Sequence, residues 1–256
     1  MPVDPDPTTR DLSYDEAREA LDACLVALSD FVRVDRVLSG QLQAGKVEFF
    51  GTAVPEAVSP GQMSRFLEWF ILERRVDGAT GPPVRAFLAA GCPGLQAPGT
   101  RDFVVALAES EVGVWAIRDE SAEGFELEAA FATDFESRWL WLENLPKSGT
   151  PVAPGMTVVG RLARLPESAQ RGGSDCWLTL DGTRVFSGTM MFDAIATDVA
   201  RHRLESGRDP IARGLELEPI LVAHEQAAGE TPDAVEAELA SFLGDVLEAA
   251  QTGESR

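Results

Sequence analysis

The stretch EVGVWAIRDESAEGFELEAAF, residues 111–131, decides the fold class. Residues 112–117 are apolar or small at every position, which predicts a strand that is buried on both faces. In residues 125–131, apolar residues alternate with Glu126 and Glu128, which predicts a strand with one face in water. Before residue 111 and after residue 188, apolar residues recur instead with helical spacing. The sequence therefore predicts an α+β protein with N-terminal helices, a small antiparallel sheet or partly open barrel, and C-terminal helices.

Capping motifs mark two helices on the N-terminal side. Ser13 with Glu16 forms a capping box ahead of an amphipathic stripe that we expect to end near residues 39–40. A short strand is predicted at residues 46–50. Ser59 opens the next helix, in which apolar residues cover one face while Trp69 and Leu72 fall on another. We favour burial of this second face within the chain, and the alternative is a surface for a partner or a second copy.

Turn residues separate several further strands. Strands are predicted at residues 138–142 and 156–165, and the Asp181-Gly182 dipeptide between residues 176–180 and 183–187 predicts a β-hairpin. Helical spacing then returns at 191–202 and 219–228, and Thr231 is predicted to cap a final helix.

These patterns divide the chain into five segments. We expect a disordered leader over residues 1–12 and a helical segment over 13–58. A core of one helix plus a small β-barrel follows over 59–188, and a C-terminal helical segment covers 189–250. Residues 251–256 are expected to form a polar tail.

Charge and cysteine content exclude several functions. Asp and Glu number 42 against 22 Lys and Arg, a formal net charge of −20. This balance disfavours binding to nucleic acid or to an anionic membrane, because both need clustered cations. No apolar stretch is long enough to span a membrane. The three cysteines are few, odd in number and widely spaced, so we expect free thiols in a reducing cytoplasm and no zinc site.

No cofactor motif is present. The sequence has neither a Gly-rich dinucleotide fingerprint nor a phosphate loop, so we expect no cofactor. Basic residues are nearly all arginine, with lysine only at positions 46 and 147, which suits a bacterial protein from a GC-rich genome.

Two groups of residues are candidates for chemistry. Asp198, His202 and Glu205 lie at i, i+4 and i+7 on a predicted helix and could together bind the metal of a hydrolase, although such residues more often form local ion pairs. Trp139 and Trp141 share one side of a predicted strand and could stack a flat ligand, although core packing is the commoner role of such residues.

The run FLEWFILE, residues 66–73, resembles part of an uncharacterised bacterial family in which an F-L-x-W-F helix precedes a small β-barrel. The segment SEVGVW at 110–115 is similar to the start of that family's first strand, and Pro154-Gly155 with Arg161-Leu162 is similar to a later segment. The resemblance covers residues 59–188. It implies an architecture and no known activity, and the zinc-binding SEC-C tail of some relatives is missing here.

Taken together, the residues predict a non-enzymatic interaction or regulatory protein. An acidic surface would bind a basic protein partner, or the apolar second face of the helix with Trp69 and Leu72 would mediate self-association. The two alternatives are a metal-dependent hydrolase using Asp198, His202 and Glu205, and a small-ligand binder using Trp139 and Trp141.

Overall fold

A computed structural model shows how these patterns fold. It describes residues 12–51, 58–79, 81–97, 99–122, 124–130, 138–140, 152–169, 176–188, 190–206 and 214–228. Within these ranges the chain forms eight α-helices and six strands in an α+β arrangement, with helices on both sides of a small sheet. The predicted fold class is therefore confirmed.

In the described part of the chain, six helices precede the sheet. The capping boxes predicted at Ser13 and Ser59 both form. Each serine hydroxyl accepts the backbone N–H of the residue three positions later, and the side chain of that residue accepts the backbone N–H of the serine. The helices are α1 (Tyr14–Val34), α2 (Arg36–Gly40), α3 (Leu42–Phe50), α4 (Pro60–Leu72), α5 (Pro83–Ala89) and α6 (Thr100–Ala108).

Two local predictions in this helical region are wrong. The first helix ends at Val34, because Asp35 adopts extended backbone and its carboxylate instead accepts the backbone N–H groups at the start of α2. The strand predicted at residues 46–50 is helical and belongs to α3. Leu42, Gly45 and Phe49 face the core from α3 with helical spacing.

The strands form a partly open barrel. Their bounds are β1 (Glu111–Ser121), β2 (Gly124–Ala129), β3 (Arg138–Leu140), β4 (Thr157–Arg164), β5 (Cys176–Thr179) and β6 (Arg184–Phe186). Strand β1 pairs with β2, β2 with β3, β3 with β5, β5 with β4, and β4 again with β1. All these pairs are antiparallel except β3–β5, and this order is the topology of OB-type barrels.

The prediction of a β-hairpin around Asp181-Gly182 is wrong. Both β5 and β6 pair with β4 and run in the same direction along it, so they are two parts of one interrupted strand. Residues 180–183 form a bulge opposite Gly160 and Arg161, held by a bond from the Leu180 N–H to the Arg161 carbonyl. Because β5 and β6 both pair with β4, the Asp181-Gly182 dipeptide does not form the hairpin turn that its sequence favours.

Three apolar clusters hold the described part of the chain together. The first lies among α1–α6 and the outer side of β5, the second fills the barrel, and the third lies between the barrel and the last two helices, α7 (Met191–Ser206) and α8 (Gly214–Ala228). Successive side chains of a strand point to opposite faces, so neighbouring residues belong to different clusters. Trp115 and Ile117 point into the barrel, whereas Val114 packs against α7 and α8.

Several predicted segments lie outside the described residues, namely most of the leader, the helix predicted from Thr231, and the tail. Among the helices that the structure describes, none is long and apolar enough to cross a lipid bilayer.

Candidate functional site

A cluster of charged side chains joins α4, the barrel and α8. We call it the charged junction. Its members come from four elements and from the residue that follows α4, and they are Arg65, Glu68, Glu73, Arg161, Arg184, Glu218 and Glu225.

Arg65 lies at the centre of the charged junction and is only 7% exposed. Its guanidinium donates to Glu218 at 2.5 and 3.1 Å and to Glu225 at 2.9 and 3.1 Å. Burial alone would lower the pKa of Arg65, but the two carboxylates outweigh it and raise the pKa. The guanidinium therefore stays charged and binds α8 to α4 through paired, charge-assisted hydrogen bonds.

Two further contacts fix α8 against the barrel. Arg184 on β6 donates to Glu225 at 2.9 Å. Glu73, just after α4, accepts from the Arg161 guanidinium and from the backbone N–H of Gly214, the first residue of α8. A carboxylate at this position compensates the unpaired N–H groups and the positive end of the helix dipole. Helix α8 is thus held by ion pairs along its length.

Glu68 connects α4 to the bulge between β5 and β6. Its Oε1 accepts the backbone N–H of Gly182 at 2.7 Å. Burial raises the pKa of Glu68 to about 7 and Asp181 adds to the rise, while Arg161 and the Gly182 amide oppose it. Gly182 is needed at this contact, because a Cβ there would lie 2.7 Å from Arg65 Cγ.

A small cavity lies beside these groups, lined by Arg65, Glu68, Trp69 and Arg161 together with residues of β1 and α8. Its volume is about 20 Å³, enough for about one water molecule. Arg161 is 3% exposed, and its Nε has no hydrogen-bond partner among the described residues. The cavity can therefore hold a bridging water but not a metabolite.

A second group of carboxylates lies on the exposed end of β1 and β2. We call it the acidic hairpin: Asp119, Glu120 and Glu126. Asp119 and Glu126 are directly opposed across the two strands. None of the three carboxylates has an ion-pair partner in the part of the chain that is described, although Asp119 accepts the backbone N–H of Glu120.

A β-bulge at Arg118 produces this opposition. The register runs from Ile117 with Leu127 to Asp119 with Glu126, so Arg118 is the extra residue on β1. Its guanidinium pairs with Glu128 and lies 5.7 Å from the ring centroid of Phe192 on α7. Arg118 is thereby held by Glu128, and among the described side chains no cation forms an ion pair with the acidic hairpin.

Of the predicted binding residues, Trp69 and Leu72 are buried within the chain. They are 5% and 6% exposed and belong to the cluster among the N-terminal helices. Trp69 packs on Phe49 with ring centroids 5.3 Å apart. This is the interpretation that the sequence favoured, and in this fold neither side chain is available to bind a second copy.

The two tryptophans suggested as a ligand platform are not tested by the structure. The backbone of Trp139 pairs with Glu126 on one side and Cys176 on the other. The Trp139 side chain and all of Trp141 lie outside the described part of the chain. Ligand binding there stays a prediction.

The suggested metal ligands do lie on one helix, α7. Asp198, however, binds His224 Nε2 of α8 at 3.0 Å and also pairs with Arg201, while His202 and Glu205 are exposed. Among the described residues, no three His, Cys, Asp or Glu side chains are grouped so as to hold a metal ion. Asp198 is thus paired with Arg201 and with a histidine of α8 rather than with His202 or Glu205, and metal binding by these residues stays a prediction.

The charged junction was not predicted from the sequence. Its signal was present on α4, where Arg65 and Glu68 interrupt a helix that is apolar on nearly two faces. Charges on such a helix must be buried with it, and buried charges need partners. The partners were not predictable, because Glu218 and Glu225 follow about 150 residues later.

No known protein family, curated protein or solved structure matches the chain. The resemblance of residues 59–188 to an uncharacterised bacterial family thus remains a prediction about architecture.

Proposed function

We propose that this chain is a cytoplasmic, non-enzymatic interaction protein that binds a basic segment of a partner protein through the acidic hairpin. The observation that carries the proposal is the opposition of Asp119 and Glu126. Like charges directly opposed across two strands destabilise a sheet. A Lys or Arg side chain of a partner would relieve this repulsion.

The overall charge supports the same kind of partner. With a net charge of −20, the chain attracts basic surfaces from a distance and repels acidic ones. OB-type barrels often bind oligonucleotides, but a shared topology does not transfer a function, and carboxylates on β1 and β2 repel phosphates. A basic protein segment therefore fits this surface better than a nucleic acid.

A cytoplasmic location is part of the proposal. Cys24, Cys92 and Cys176 are all buried, and none of them forms a disulfide. Free thiols are common in a reducing compartment, whereas secreted proteins usually pair their cysteines.

The test is a binding titration with the full chain. The probe is a fluorescent peptide rich in Lys and Arg, followed by anisotropy at several salt concentrations. We expect binding that weakens with salt, and a loss of about tenfold in affinity, equal to about 1.4 kcal/mol, when Asp119→Asn is combined with Glu126→Gln.

A matched control carries the same change of charge elsewhere. Asp102 and Glu109 are exposed on or next to α6, and Asp102→Asn with Glu109→Gln also removes one Asp and one Glu charge. We expect this variant to bind almost as well as the unmodified chain. Equal weakening in both variants would show that only net charge matters, and no binding at low salt would contradict the proposal outright.

A further inference from the structure

The charged junction has one more acid than base. It contains three arginines and four glutamates, and three of the glutamates, Glu73, Glu218 and Glu225, accept hydrogen bonds from arginine. Glu68 is the exception. Among the described residues its carboxylate accepts only the Gly182 backbone N–H. With all seven side chains ionised, the junction would carry one uncompensated negative charge.

The surroundings of Glu68 do little to stabilise that charge. Arg161 on β4 and Arg65 on α4 attract it, but both guanidiniums are already bound to other carboxylates. Asp181, next to Gly182, repels it. Glu68 is half-buried, and the adjoining cavity has room for about one water molecule, so its carboxylate is only partly hydrated.

We propose that Glu68 binds a proton in the folded chain and that this proton stabilises the contact between α4 and the barrel. We call this contact the proton-linked joint. A protonated Glu68 makes the charges of the junction balance, and its carbonyl oxygen can still accept the Gly182 N–H. Ionisation leaves a half-buried charge without an ion-pair partner in the described chain between α4 and the bulge, and thereby weakens the joint.

The direction of the pH effect follows from linkage. Burial raises the pKa of Glu68 from 4.5 to about 7, so the folded chain binds this proton more tightly than the unfolded chain. The stability that Glu68 contributes is therefore fully present below about pH 4.5 and is lost as the pH rises to about 7.

The test compares urea unfolding of the full chain with that of Glu68→Gln between pH 4.5 and 8. Glutamine is neutral at every pH and can also accept the Gly182 N–H. We expect the unmodified chain to lose stability relative to Glu68→Gln as the pH rises to about 7, by up to about tenfold in the unfolding constant per pH unit, with no further change above.

The control is Glu19→Gln, an exposed glutamate on α1 without an ion pair in the described chain. The free energy of unfolding of this variant should change with pH in parallel with that of the unmodified chain. Parallel curves for Glu68→Gln as well would overturn the proposal.

A second measurement does not depend on the variant folding. The side-chain carboxyl carbon of Glu68 can be assigned by NMR in the unmodified chain and followed against pH. A midpoint near 7 supports the joint, and a midpoint near the ordinary 4.5 overturns it.

Discussion

Arg65 on α4 and Glu218 on α8 lie 153 residues apart in the chain, yet Arg65 Nε donates to Glu218 Oε2 at 2.5 Å. Both side chains are more than nine-tenths buried. Transferring such charges from water costs several kcal/mol, and their mutual hydrogen bonds offset that cost only while both partners are present. The two residues therefore make the docking of α8 conditional on a complete charged junction.

Removing one partner of this pair should be strongly destabilising. We expect Arg65→Met to lower the free energy of unfolding by about 3–5 kcal/mol, because Glu218 is left buried without its cation. Combining Arg65→Met with Glu218→Met should recover part of that loss. Urea unfolding measures both changes.

The matched control for this substitution is Arg33→Met, which breaks an exposed i, i+3 pair with Asp30 on α1. We expect it to change stability by less than about 1 kcal/mol. If Arg65→Met were equally mild, the charged junction would not be what holds α8 in place.

The bulge between β5 and β6 depends on a glycine in β4. Gly160 has a φ of +152°, and a Cβ there would lie 2.5 Å from the Thr183 Cα. We expect Gly160→Ala to cost about 2–5 kcal/mol from strain and overpacking together, measured by thermal unfolding. Gly40→Ala is the comparison, since nothing lies within 4 Å of its added methyl group, and it should leave stability unchanged or slightly raised. Similar effects of the two substitutions would argue against the close approach of β4 and the bulge.

In the acidic hairpin, stability and binding should change in opposite directions. We expect Glu126→Lys to raise the free energy of unfolding by up to about 1 kcal/mol, because Asp119 gains an opposite charge across the strands. The same substitution should abolish binding of the basic peptide. Thermal unfolding and anisotropy on one preparation test both effects. A variant that lost both stability and binding would indicate that Glu126 has a structural role instead.

The cysteines should be inert in the folded chain. Burial raises the pKa of Cys24 to about 12, and all three thiols are at most 5% exposed. Because the thiolate is the reactive form, we expect a thiol reagent at pH 8 to modify none of them rapidly in buffer and all three in urea. Counting modified thiols by mass spectrometry checks this. Fast labelling in buffer would mean that at least one cysteine is accessible.

The sequence predicted the elements whose signals are local. The capping boxes at Ser13 and Ser59 and the change of period at residue 111 were enough for the helices α1 and α4 and for the strands β1 and β2. The turn signal at Asp181-Gly182 was misleading, because its flanking residues pair with β4 rather than with each other. Local turn chemistry can yield to strand pairing elsewhere.

The candidate site was largely beyond prediction. Glu126 was expected to lie on a solvated face, but its opposition to Asp119 depends on the bulge at Arg118, which no local pattern marks. The charged junction is assembled from side chains that only the tertiary structure brings together. Arg65 and Glu68 are unexpected charges on an apolar helix, but no nearby residue in the sequence indicated which groups they contact.

The position of Glu218 and Glu225 near the end of the described chain bears on how the protein matures during synthesis. Arg65, Arg161 and Arg184 all leave the ribosome first, and Arg65 then has neither of its carboxylate partners. Because nascent chains fold in the order in which they emerge, α8 must dock last among the described helices. We therefore expect a ribosome-bound chain that stops before residue 214 to remain sensitive to protease, and protection to be gained abruptly once α8 has emerged.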